Sequence, residues 1–196
     1  MGTVGLAVTG GAFFNHLSNP DGSLALANEG RSLDSCFGHS AREGAYHYHA
    51  NINCTNAGAA TGANDPDKCV LIGYMADGFP VYGFCKDSSG KQMTSCYSLN
   101  SGVTKVSVTT AAGTLSGIGS SSSDYTFDTA AFTAGTCNLD KASGAINPTT
   151  NTYSYFMTTE YPWTPIELFG SEGAQSQNSM IINLIHNVIF VCFMLS

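Results

Sequence analysis

Apolar and polar residues alternate in short runs along most of this chain, and turn residues punctuate them. Residues 4–14 form two apolar runs around Thr9-Gly10-Gly11, the pattern of a β-hairpin. Asn19-Pro20-Asp21-Gly22 reads as a turn, and residues 24–28 as a short helix or strand. Residues 70–74 and 79–84 read as strands on either side of the turn Asp77-Gly78. Residues 98–110 alternate valine with polar positions, as an exposed strand does. Residues 57–68 and 115–124 are rich in Gly, Ser, Asn and Asp and read as loops. Residues 153–158 read as a further strand before the Pro-rich exit Tyr161-Pro162-Trp163-Thr164-Pro165. No segment before residue 170 holds a long 3.6-residue period. The pattern predicts one mainly β domain, an antiparallel sheet or sandwich with long loops, over residues 1–170.

The last 26 residues differ. Residues 170–179 are small and polar and read as a linker, and residues 180–195 are mostly apolar. That run is short of the roughly 20 residues a membrane-spanning helix needs, and it contains Asn183, His186 and Asn187. An anchor signal and a plain amphipathic helix both remain open for it. A membrane contact is expected only if the tail is such a signal.

Composition sharpens this picture. Apolar residues make up 43% of the chain, enough for a core, and charged residues only 11%. The formal charge is −7, and no Lys/Arg cluster occurs, so a nucleic-acid surface is not expected. Seven cysteines are present, none in a C-x-x-C pair. The six at positions 36, 54, 69, 85, 96 and 137 read as up to three disulfides, which implies an oxidising, extracellular location. Asn53-Cys54-Thr55 is an N-glycosylation sequon. A Cys36–Cys54 bridge would bracket the histidine-rich segment. A chain of this type should carry a signal peptide, and residues 1–5 do not resemble one, so we expect an N-terminal truncation.

Three of the five histidines fall at positions 39, 47 and 49. On a strand, alternate side chains share a face, so His47 and His49 point one way and Tyr46 and Tyr48 the other. Their Cα atoms would lie about 7 Å apart, close enough for both rings to reach one ion. His39 precedes the turn Arg42-Glu43-Gly44, and a hairpin would return it as a third ligand. Three neutral imidazoles leave an open coordination position, and zinc or copper is the expected divalent ion. Asp34, Glu43 and Asp77 are candidate carboxylate partners, with Glu43 and Asp77 as candidate catalytic bases. The alternative is that the histidines are structural and Asp77-Gly78 only a turn.

A short internal repeat accompanies the motif. Cys36-Phe37-Gly38-His39 followed by Tyr46-His47-Tyr48-His49 matches Cys137-Asn138-Leu139-Asp140 followed by Tyr153-Ser154-Tyr155-Phe156. In the second copy Ser154 and Phe156 replace histidines.

Three blocks carry a family resemblance: Leu33-Asp34-Ser35-Cys36, Gly38-His39 with Tyr46-His47-Tyr48-His49, and the run at positions 72–83. The chain resembles the YHYH-domain family. That resemblance implies an extracellular domain in which these blocks matter, and it implies no particular reaction. Two functions follow as expectations. The first is a secreted metal-binding domain, with an open site suited to hydrolysis or oxidation of a small-molecule or glycan ligand. The second is a non-catalytic adhesion, matrix or glycan-binding module.

Overall fold

The computed structural model describes residues 2–41, 44–50 and 64–170. Met1, Arg42, Glu43, the sequon, Cys54 and the 171–196 tail with Cys192 lie outside the described residues. The catalytic candidate Glu43 and the Cys36–Cys54 bridge therefore lie outside them too.

Among the described residues, twelve strands carry the domain. In chain order they are β1 (Thr3–Ala7), β2 (Ala12–Phe14), β3 (Gly38–Ser40), β4 (Tyr46–Tyr48), β5 (Leu71–Met75), β6 (Pro80–Tyr82), β7 (Tyr97–Leu99), β8 (Val106–Thr110), β9 (Gly113–Ile118), β10 (Tyr125–Phe127), β11 (Gly144–Ile146) and β12 (Tyr153–Phe156). Two five-residue helices join them, α1 (Ala25–Glu29) and α2 (Thr129–Thr133). The fold is mainly β, as the alternation predicts. Eight strands form one sheet, in the order β11-β12-β6-β5-β1-β2-β4-β3. This sheet is mixed, because β2–β4 and β6–β12 pair in parallel. Two small antiparallel ribbons, β7–β10 and β8–β9, complete the strands.

Turn chemistry sets the hairpins. Gly10 and Gly78 hold positive φ of 91° and 86° in the β1–β2 and β5–β6 turns. Only glycine adopts that region without steric cost. The loop expected over residues 115–124 is instead strand at its start, where residues 115–118 belong to β9, and a 3-10 turn at its end, Ser122–Asp124. Ser116 and Gly117 sit on an exposed ribbon, where pairing with β8 supplies the order that side chains do not. The single strand expected over 98–110 is broken into β7 and β8 by a turn at Ser101-Gly102.

The central pair, β1 and β5, approaches closely. A Cβ on Gly73 would lie 2.3 Å from the Leu6 carbonyl oxygen and 2.9 Å from the Ala7 Cα. A Cβ on Gly5 would lie 2.5 Å from the Tyr74 carbonyl oxygen. The obstructing atoms are backbone and cannot rotate away. Gly73→Ala should therefore cost about 2–3 kcal/mol, the upper part of the range for an overpacked core. Urea unfolding would read this as a lower midpoint with an unchanged slope.

The core lies on both faces of the sheet. Phe13, Tyr48, Ile72, Val81 and Tyr155 pack one face, with Phe13 and Tyr155 almost fully buried. A second cluster joins Leu26 of α1 to Leu33, Ala50, Tyr161 and Trp163. Burying each large apolar side chain contributes roughly 1.5–3 kcal/mol. Disulfides Cys69–Cys85 and Cys96–Cys137 brace the second half. Among the described residues, no helix is long and apolar enough to cross a membrane.

The internal repeat is visible in the sheet, but with another register. Cys36 does not correspond to Cys137. Instead Leu33-Asp34 corresponds to Leu139-Asp140, because Asp34 and Asp140 make the same bonds. Each carboxylate accepts from the amides two and four residues ahead and from a tyrosine hydroxyl, Tyr46 or Tyr153.

Candidate metal centre

The hairpin β3–β4 builds the site. Its register sets His39 opposite His47. The chain reverses between Ala41 and Ala45, where the Ala41 amide donates to the Ala45 carbonyl at 2.9 Å and Gly44 holds a φ of 84°. His49 follows β4 and stays paired, its amide donating to the Phe37 carbonyl at 3.2 Å. His47 and His49 share one face and Tyr48 packs into the core on the other. All three expected histidines are thus brought together.

The fourth member is Glu29, at the end of α1. One ligand atom from each of Glu29, His39, His47 and His49 lies within 4.8 Å of the others. The Nε2 atoms of His47 and His49 are 2.9 Å apart. Oε2 of Glu29 is 3.0 Å from His39 Nε2 and 3.6 Å from His49 Nε2. Glu29 was not among the carboxylates suggested by the sequence. Its signal was faint: it sits three positions after the buried Leu26, on the helix face turned to the sheet.

The ring protons can be assigned from their partners. Nδ1 of His47 donates to the Ala45 carbonyl at 3.2 Å, and Nδ1 of His49 to the Asn15 carbonyl at 2.9 Å. The Ser32 hydroxyl donates to the Glu29 carbonyl at 2.7 Å, so it accepts from His39 Nδ1 at 2.9 Å. A neutral imidazole carries one N–H. With Nδ1 occupied in each ring, three bare Nε2 atoms face one another and a carboxylate. His39 Nε2 is buried without a hydrogen-bond partner, despite its short distance to Glu29. Both atoms there present lone pairs, so the contact has the distance of a bond and not its geometry. Two bare nitrogens at 2.9 Å repel unless a proton or a cation lies between them.

Burial shapes the electrostatics. It lowers the pKa of His49 to about 4, aided by His47, His39 and His16 and opposed by the bond to Asn15. Burial lowers His39 as well, with help from His47, while Asp34 raises it. Burial raises Glu29, and His47 draws it back down. Phe14 stacks on the His47 ring at 4.0 Å between centroids. His49 is 3% exposed at its side chain, against 15% for His39 and 29% for Glu29, so the cluster opens on the side of α1.

The other candidates lie elsewhere. Asp34 clasps the start of β3 and the Tyr46 hydroxyl, at 2.6 Å. Asp77 is buried in the β5–β6 turn, where it accepts from the Tyr155 hydroxyl at 2.5 Å and the Gly170 amide at 3.1 Å. Neither belongs to the histidine group. Tyr46 and Tyr48 lie edge to face, with Tyr48 in the core and bonded to Thr9.

The fold and site define a disulfide-containing β domain with a three-histidine, one-glutamate cluster on one sheet face. The chain belongs to the YHYH family: the family profile described as "YHYH protein" matches residues 2–170. No curated protein and no solved structure matches the chain.

Proposed function

We propose that this protein is a secreted metal-binding domain whose ion is held by His39, His47, His49 and Glu29. The observation that carries the reading is the convergence of three Nε2 atoms whose Nδ1 partners are already fixed. Imidazole ligands that donate the other N–H to a carbonyl or similar acceptor are the usual arrangement at metal sites. With bonds of about 2.0–2.1 Å, tetrahedral donors stand roughly 3.3 Å apart. The separations of 2.9, 3.0 and 3.6 Å bracket that value. The donor set of nitrogen and oxygen suits zinc or copper(II).

Secretion is supported by the disulfides, which persist in oxidising compartments. Residues 1–170 form the domain in this reading, with 171–196 a linker and apolar tail. If Glu29 ligates weakly, three histidines leave a position for water or a substrate. A bound divalent ion would there supply Lewis acidity and a more acidic water. The chain's own residues orient the rings, shield them behind Phe14, and leave the α1 side accessible. A hydrolase or oxidoreductase activity would be built on that opening.

The decisive measurement is metal content in protein purified without an affinity tag. Near-stoichiometric zinc or copper is expected, and its removal by a chelator should lower the melting temperature. Protein that holds no metal and melts at the same temperature with either ion would sink the reading and favour the adhesion or glycan-binding alternative. Ser32→Ala gives a finer check. Losing the acceptor for His39 Nδ1 should weaken metal affinity about 10–100-fold. Stability in chelator should hardly change. A competition titration against a chromogenic chelator would measure it.

A further inference from the structure

The sheet has a twofold centre. β1 and β5 pair as Gly5↔Met75, Leu6↔Tyr74 and Ala7↔Gly73. If each β1 residue is matched to the one 68 positions later, that register maps onto itself, with Leu6 and Tyr74 on the axis. Outward from this pair both halves repeat the same steps. β1 pairs antiparallel with β2, β2 parallel with β4, and β4 antiparallel with β3. β5 pairs antiparallel with β6, β6 parallel with β12, and β12 antiparallel with β11.

The detail agrees with the topology. Asp34 and Asp140 make the same three bonds, to two amides and a tyrosine hydroxyl. The residue three positions on has positive φ in both, 57° at Phe37 and 67° at Ser143. The next residue is glycine in both. A Cβ there would lie 2.3 Å from the Tyr46 hydroxyl or 2.0 Å from that of Tyr153. The tyrosine pairs that follow stand edge to face at 5.2 and 5.4 Å. All of these likenesses fall at one register.

The register then identifies what stands in place of each histidine. His39 corresponds to Ala145, His47 to Ser154 and His49 to Phe156, with Tyr82 in place of Phe14. Ser154 and Phe156 are fully buried, and Phe156 stacks on Tyr82 and packs against Cys85, Met93 and Leu139.

We infer that the domain is a fused duplication of one β unit, and that Ala145, Ser154 and Phe156 mark a second, dismantled site for a divalent first-row metal ion. The word metal here rests on the function proposed above; the duplication does not. The four-stranded frame is common to both halves, so it does not need histidines to pack. The imidazoles of the first half are there for a ligand, and each chain holds one ion.

Two variants test this beside the wild type. The first, His39→Ala/His47→Ser/His49→Phe, gives the first half the residues of the second. In chelator it should unfold cooperatively within a few degrees of wild type. The second, Ala145→His/Ser154→His, restores the cross-strand pair that His39 and His47 form. Dialysis against copper(II) should then show one more equivalent per chain than wild type. Loss of cooperative unfolding in the first variant would overturn the inference. So would a folded second variant that binds no more copper than wild type. If the second variant does not fold, the first alone decides. A wild type without metal beside a second variant that binds one equivalent would end the proposed function and leave the duplication standing.

Discussion

A His47→Ala/His49→Ala protein should stay almost metal-free at concentrations that just saturate the wild type. Two of four donors disappear, and they are the two most deeply buried ones, 2.9 Å apart at Nε2. The affinity should fall more than about 1,000-fold, since each good ligand contributes several kcal/mol to a structural site. Stability provides a second reading. An ion that binds only the native state at 100 to 1,000 times its dissociation constant adds about 2.7–4.1 kcal/mol. The double variant should melt at the same temperature with and without added zinc, whereas wild type should rise. In chelator the variant should remain folded, because the frame that holds these rings is bonded through Asp34, Tyr46 and the backbone pairing of β3 and β4. A variant that still melts higher with zinc would place the ion elsewhere.

Acidification should act on the same rings. His49 and His16 both have folded pKa values pushed to about 4 by burial, from an ordinary 6.5. The native state therefore binds fewer protons than the unfolded chain below pH 6.5. The stability these two neutral rings represent is complete above pH 6.5, declines as the pH falls, and is lost by about pH 4. Metal-free protein should show a flat melting temperature from pH 8 to 7 and a decline below 6.5, amounting to a few kcal/mol across the window. Metal-loaded protein should show a steeper decline, because protons displace the ion from its nitrogens. The low pKa of His49 delays that displacement, so loading should persist at pH 6. Melting curves at half-unit intervals, with and without zinc, would separate the two contributions. A metal-free protein equally stable at pH 7 and pH 4.5 would contradict the burial of these rings.

Much of this arrangement was legible in the sequence, for identifiable reasons. The β1–β2 and β5–β6 hairpins announced themselves because Gly10 and Gly78 supply positive φ between apolar runs. The histidines' common face followed from strand periodicity alone. Glu29 was hidden because a five-residue helix offers too little periodicity to show which of its faces is buried. The strand β9 was hidden because its order comes from pairing, not from the apolar content of Gly113-Thr114-Leu115-Ser116-Gly117-Ile118. The repeat is legible too, but matching Cys36 to Cys137 sets its first part five positions off. Cys36 and Cys137 are salient letters, whereas the true anchor is the pair Asp34 and Asp140, whose likeness lies in the bonds they accept. The two parallel pairings have no local signature, since residues far apart in the chain make them.

The parallel pairing of β6 with β12 also dictates the order in which this sheet can be finished. Residues 80–82 emerge from synthesis about seventy positions before 153–156, and for that interval one flank of the growing sheet is raw. Unsatisfied strand flanks recruit foreign chains. Here the vulnerable stretch is only three residues long and begins with Pro80, which has no amide hydrogen to offer an intruder.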